Sequence, residues 1–244
     1  MLGEVTVGER FAAALADAGS PAAPELLPVR LARAAAAALP VDGVGLSVLS
    51  GPHGRCPLGG SDPEAELAER LQFTAGGGPC RAAFDSRRPV FALPEDLVGR
   101  WPAFAASLTA RTRYRGVVAL PFRRGLAGVG ALDLYLADPA GVPRLDVFDA
   151  VAVADLVTTA LSEAAVWSVW TEATGPDWLH SPAAVRRAGV WQALGQVALA
   201  LAVDLPTALG RLRAQAGATG GTVDDVAAAV LRGELSPAEL AAVP

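Results

Sequence analysis

The chain has 244 residues, enough for one large or two small domains, and its 52% apolar content is swollen by alanine. Uncharged strand-like runs such as 116–122 and 125–132 fall far short of the roughly 20 residues that span a bilayer, so no membrane helix is expected. A formal net charge of −5 argues against a broad nucleic-acid surface.

The first residues, MLGEVTVGERF, carry acids and lack an apolar core behind positive charge, so no secretory signal and a cytoplasmic location are expected. The two cysteines, Cys56 and Cys80, are too few for a disulfide scaffold and are expected as thiols. All 20 basic residues are Arg, while Lys, Ile and Asn are absent, a codon bias of a GC-rich gene that tempers arguments from Ala and Arg abundance. The bias also removes lysine as a Schiff base or phosphate ligand. From residue 181 onward five Arg face five acids, so that region is neutral.

In chain order, Val7, Phe11 and Leu15 form one stripe of a helix that Ser20-Pro21 interrupts, and a second helix is predicted over 25–39. Asp42-Gly43 turns the chain into an alternating strand through Val44, Leu46 and Val48. A hairpin at 51–54 leads to a short strand near 55–58. Asp62-Pro63 starts a helix on which Glu64, Glu66 and Glu69 are expected to face water. The segment 74–80, TAGGGPC, is a tight irregular turn ending at Cys80 near a helix start. A strand over 89–93, a helix over 101–108 and paired apolar strands over 115–122 and 129–136 follow. A long helix over 144–170 then leads toward the C-terminus.

Three short helices end the chain. Val190, Trp191, Leu194, Val197, Ala198 and Leu201 recur at spacings of three and four. Asp204 caps the next helix with Pro206 in its first turn, and Leu205, Ala208, Leu209, Leu212 and Ala216 make its stripe. Thr222 with Asp225 is a capping box opening a third, with Val223, Val226, Ala227, Val230 and Leu231 apolar. No stripe can be buried alone, so the three must pack together.

Trp191-Gln192-Ala193-Leu194-Gly195, Ala208, Leu212-Arg213, Ala216 and Val226-Ala227 resemble, in order, the ANTAR domain, an RNA-binding module of bacterial antitermination regulators. Upstream, GGGPC (76–80), PVFALPEDL (89–97), RWPAF (100–104), RGVVALPF (115–122) and GVGALDLYL (128–136) resemble the GAF domains that precede ANTAR modules in high-GC bacteria. The expected organisation is α+β: an N-terminal helical extension (1–24), a GAF-type antiparallel sheet flanked by helices (25–165), a linker (166–182) that continues the long helix, and an all-α three-helix ANTAR bundle (183–244).

The resemblance implies a signal-responsive antitermination regulator that binds a paired stem-loop in nascent transcript, with no catalysis. Arg186, Arg187, Gln192, Arg211 and Arg213 are the candidate RNA contacts, since guanidinium pairs with phosphate and stacks on unpaired bases. Ordinary solvated helix faces are the plainer reading. Where many ANTAR domains carry a basic residue this chain has Leu194, which leaves open a protein-interaction regulator whose bundle no longer binds RNA. Cys80, Phe91, Trp101, Phe104, Phe122 and Tyr135 are the candidate lining of a small-molecule pocket in the GAF region, or simply core. Cys80 is also a candidate redox sensor or thiol nucleophile at a helix start, although neither His53 nor His180 is placed as its base. Four scattered His and Cys side chains make no zinc set, so neither metal nor cofactor is expected. The long helix carries apolar residues out to Val166, Trp167 and Trp170, which suggests a homodimer seam or packing on the bundle of the same chain.

Overall fold

The computed structural model describes residues 5–17, 23–51, 54–167 and 175–242. Helices α1 (Val7–Asp17) and α2 (Leu27–Ala38) precede strands β1 (Gly43–Ser50) and β2 (Gly54–Gly60). Helices α3 (Pro63–Thr74) and α4 (Pro79–Ser86), strand β3 (Val90–Ala92), and helices α5 (Pro94–Arg100) and α6 (Pro102–Arg111) follow. Strands β4 (Gly116–Pro121) and β5 (Gly130–Leu136) lead to α7 (Val147–Trp167), then to α8 (Pro182–Leu201), α9 (Leu205–Thr219) and α10 (Val223–Leu231). The protein is α+β, with a five-stranded sheet in the order β2-β1-β5-β4-β3, antiparallel at every pairing.

Period-two alternation gives the sheet two different faces. Val44 and Leu46 of β1, Val118 and Leu120 of β4 and Leu132, Leu134 and Leu136 of β5 form one apolar core with α1, α2 and α7. The alternate residues, among them Gly45, Ser47, Val117, Asp133 and Tyr135, turn toward α3 to α6. Each leucine fully buried on the first face contributes roughly 1.5–3 kcal/mol.

Local chemistry sets the helix starts. Asp62 accepts the Glu64 and Ala65 amides at the head of α3, with Pro63 in the first turn. Asp204 accepts the Thr207 amide before α9, and Thr222 and Asp225 form a reciprocal capping box before α10. Helix α7 begins at Val147, later than the expected 144, because Asp146 Oδ1 accepts the amides of Phe148 and Asp149. The seven-residue α5 is too short to show a period in the sequence. Its start is fixed by Pro94 and by the Asp96 carboxylate accepting the Leu93 amide at 3.1 Å.

The last three helices share one apolar cluster built on Val190, Val197, Leu212 and Val230, and that cluster also takes in Phe73 from α3. Before α8, Trp178 is buried and its Nε1 donates to Leu161 O at 3.1 Å, which ties the connecting segment to α7. Val166 is 77% exposed, while Trp170 and the Trp167 side chain lie outside the described residues. Among the described residues no single helix is long and apolar enough to cross a membrane.

Candidate functional site

The helix-covered polar face of the sheet holds a sealed charged network. Glu69, expected in water, is instead wholly buried at the centre of it. Arg55 Nη2 donates to Glu69 Oε2 at 2.6 Å and to Asp133 Oδ2 at 3.1 Å, while Nη1 donates to the Glu69 carbonyl. Tyr135 OH donates to Glu69 Oε1 at 2.6 Å, Ser47 Oγ donates to Glu69 Oε2, and Gln72 Nε2 donates to Asp133 Oδ2 and to Tyr135 OH. Gly45 makes this possible, because a Cβ there would collide with the Glu69 carboxylate.

Burial, and then the Glu69 carboxylate, push Asp133 well above the usual carboxylate range. Burial opposes the charge on Arg55, yet Cys80, Glu69, Asp133 and Tyr135 together raise its pKa above the ordinary arginine value. Glu69, Asp133 and Tyr135 have no exposed surface, so these three groups are closed to substrate, and Arg55 is the member of the network that keeps a little exposure.

The six residues expected to line a pocket do not meet around one. Phe104 and Tyr135 are core side chains beneath α3 to α6, with Trp101 packed partly against them. Phe122 lies on the opposite, apolar face, and Phe91 projects from the short β3 with 39% of its surface exposed. Cys80 is fully buried beside Leu49 and Ala131, and burial raises its thiol pKa well above the usual value. Burial also pushes Cys56 up to about 11. Neither thiol has the lowered pKa and access that a nucleophile or redox sensor requires, and His53 lies outside the described residues. Among the described residues no three His, Cys, Asp or Glu side chains form a group able to hold a metal ion.

Arginines from the C-terminal helices make the second candidate site, and the structure corrects their expected exposure. Arg187 is completely buried. Its Nε and Nη2 donate to Asp224 at 3.2 and 3.0 Å, Nη1 donates to Arg55 O at 2.9 Å, and the guanidinium carbon sits 3.6 Å from the Phe73 ring centroid. Burial lowers its pKa, and Asp224 opposes that shift. Arg213 is partly buried, and its Nε and Nη2 donate to the Phe73 carbonyl. Arg186 pairs with Glu66 at 3.0 Å, at the surface. Gln192 is exposed and Arg211 half-buried.

Three of the five candidates therefore turn one face of the bundle toward α3 and β2. Phe73 is the anchor of that contact: it enters the bundle core and meets Trp191 edge-on at 5.8 Å. Thr74 Oγ1 accepts the Val223 amide at 3.0 Å, which satisfies an otherwise free donor at the head of α10. Compared with family models, curated proteins and solved structures, the chain gives no significant match.

Proposed function

We propose that the chain is a signal-responsive, cytoplasmic RNA-binding regulator of the antitermination type, in which a GAF-like sheet body holds an ANTAR-like bundle by its basic face. The observation that carries this reading is the common direction of Arg186, Arg187 and Arg213, all engaged by α3 or β2. A regulator that answers a signal needs two states, and a basic face covered by the sensor supplies the inactive one. Binding a stem-loop shifts an equilibrium between RNA structures and needs no covalent step. A second copy of the chain joins along α7, where exposed Phe148 and Val166 lie five helical turns apart on one face. Light scattering that found a monomer at all concentrations would remove this part of the reading.

Filter binding to stem-loop RNA at low salt tests the function. Arg186→Ala and Arg213→Ala are each expected to weaken the residual affinity about three- to tenfold, as loss of one phosphate contact does. Equal affinity in both variants would contradict it.

A second reading, a protein-interaction regulator that does not bind RNA, is favoured by a separate feature. Trp191, Leu194, Leu205, Pro206 and Leu209 line an apolar groove on the bundle, and Leu199 is 85% exposed. Arg186→Ala and Arg213→Ala leave that groove untouched, so the two readings separate in the same assay.

A further inference from the structure

Between the sheet body and the bundle lies a small cleft of about 30 Å³, open to solvent, which shares Arg55 and Gln72 with the network behind it. Three arginines from three elements reach it: Arg55 from β2, Arg81 from α4 and Arg213 from α9. The loop Gly76 to Gly78 forms one wall, and no carboxylate lines the cleft. Gly76, at φ +78°, gives the loop a turn that a side chain would strain, and the Arg213 guanidinium packs against it.

Several donors here are unspent. Arg55 is 93% buried, and its Nε has no hydrogen-bond partner although both other nitrogens are used. Arg213 gives Nε and Nη2 to Phe73 O, and Arg81 gives Nε and Nη1 to Asp85 and Gly51 O. Among the described residues this leaves Arg213 Nη1, Arg81 Nη2 and the amides of Gly77 and Gly78 without partners. Among them, too, no carboxylate lies within ion-pair distance of Arg213. The two amides sit immediately before α4, where the helix end favours negative charge. The Arg55 Nε–H is buried and left unmade, which is costly, and beside it the solvent-reached Arg81 and Arg213 nitrogens bring further positive charge to the same cleft, an arrangement that suits an anionic acceptor.

We infer that this cleft binds the phosphate group of a small molecule, held by Arg55, Arg81, Arg213 and the Gly77–Gly78 amides. The donors outnumber what the two oxygens of a carboxylate can accept, and they match a group with three oxygens and two negative charges. Arginine forks suit that geometry better than point charges do. The bound group bridges α9 to β2 and α4, so occupancy strengthens the contact between bundle and sheet body. The site requires nothing of RNA, and a chain that never touches RNA would still carry it.

Isothermal titration of the full chain with inorganic phosphate and, separately, with glycerol phosphate tests the inference, against chloride at matched ionic strength. Saturable one-to-one binding is expected, with Arg81→Gln and Arg213→Gln each weakening it at least about tenfold. Arg88→Gln, on the exposed turn after α4, is expected to leave binding unchanged. The stronger of the two ligands tells whether free or esterified phosphate is the occupant. Arg81 is a surface side chain whose loss the fold tolerates, so Arg81→Gln decides the matter even if Arg213→Gln is unstable. No saturable binding up to about 10 mM, or binding that Arg81→Gln leaves intact, overturns the inference.

Discussion

The two faces of one sheet solve the burial problem in opposite ways. Leu132, Leu134 and Leu136 of β5 pack against α1, α2 and α7, while Asp133 and Tyr135, their immediate neighbours in sequence, enter a charged network under α3. The apolar face is held by close contacts that each contribute a little and tolerate small losses. The polar face is held by buried charged groups that pair with one another, Arg55 Nε and Asp133 Oδ1 apart, so a single deletion leaves charges buried without a partner.

Substitutions break the comparison in order of size. Arg55→Leu strands Glu69 and Asp133 together and is expected to cost about 3–5 kcal/mol in chemical denaturation. Leu134→Ala, at an equally buried position one residue from Asp133, is expected to cost about 2–4 kcal/mol, scaled to the cavity it leaves. If the arginine variant proved as stable as the wild type, the network would be dispensable filler.

The smallest effect is a pH dependence. The folded-state pKa of Asp133 is raised, so its favourable contribution is full below the ordinary carboxylate range and is lost as pH rises toward its folded value. Asp133→Asn removes that dependence. Its stability relative to wild type is expected to increase as pH rises above the ordinary carboxylate range, read as a difference in urea midpoints. A constant difference with pH would count against a raised Asp133.

Much of the fold was legible because its signals are local. Asp62-Pro63, Asp204 and the Thr222–Asp225 pair announced three helix starts from adjacent residues, and alternation announced the strands. The network was not legible, because Arg55 meets Glu69 and Asp133 only after 14 and 78 intervening sequence steps. Asp133 inside GALDLYL was nevertheless a signal, an acid amid alternating apolar residues that asks for a buried partner. Glu69 was misplaced for the converse reason, since a glutamate on an acidic helix reads as solvated until its face is known. Arg186 and Arg187 show the same limit. Both were expected at the surface, yet adjacent helical positions point about 100° apart, and docking turned Arg187 inward while Arg186 stayed at the surface. The pocket residues failed differently: aromatic character alone does not say on which face of a sheet a side chain falls.

The central claim is that the sheet body covers the basic face of the bundle, with Phe73 as the anchor. The salt dependence of stem-loop RNA binding, measured side by side for wild type and Phe73→Ala, tests it most directly. The account predicts that Phe73→Ala binds more tightly, with affinity falling steeply as salt rises because Arg186, Arg187 and Arg213 now reach phosphate. A Phe73→Ala chain that stays folded and shows no more salt-dependent RNA affinity than wild type would contradict it.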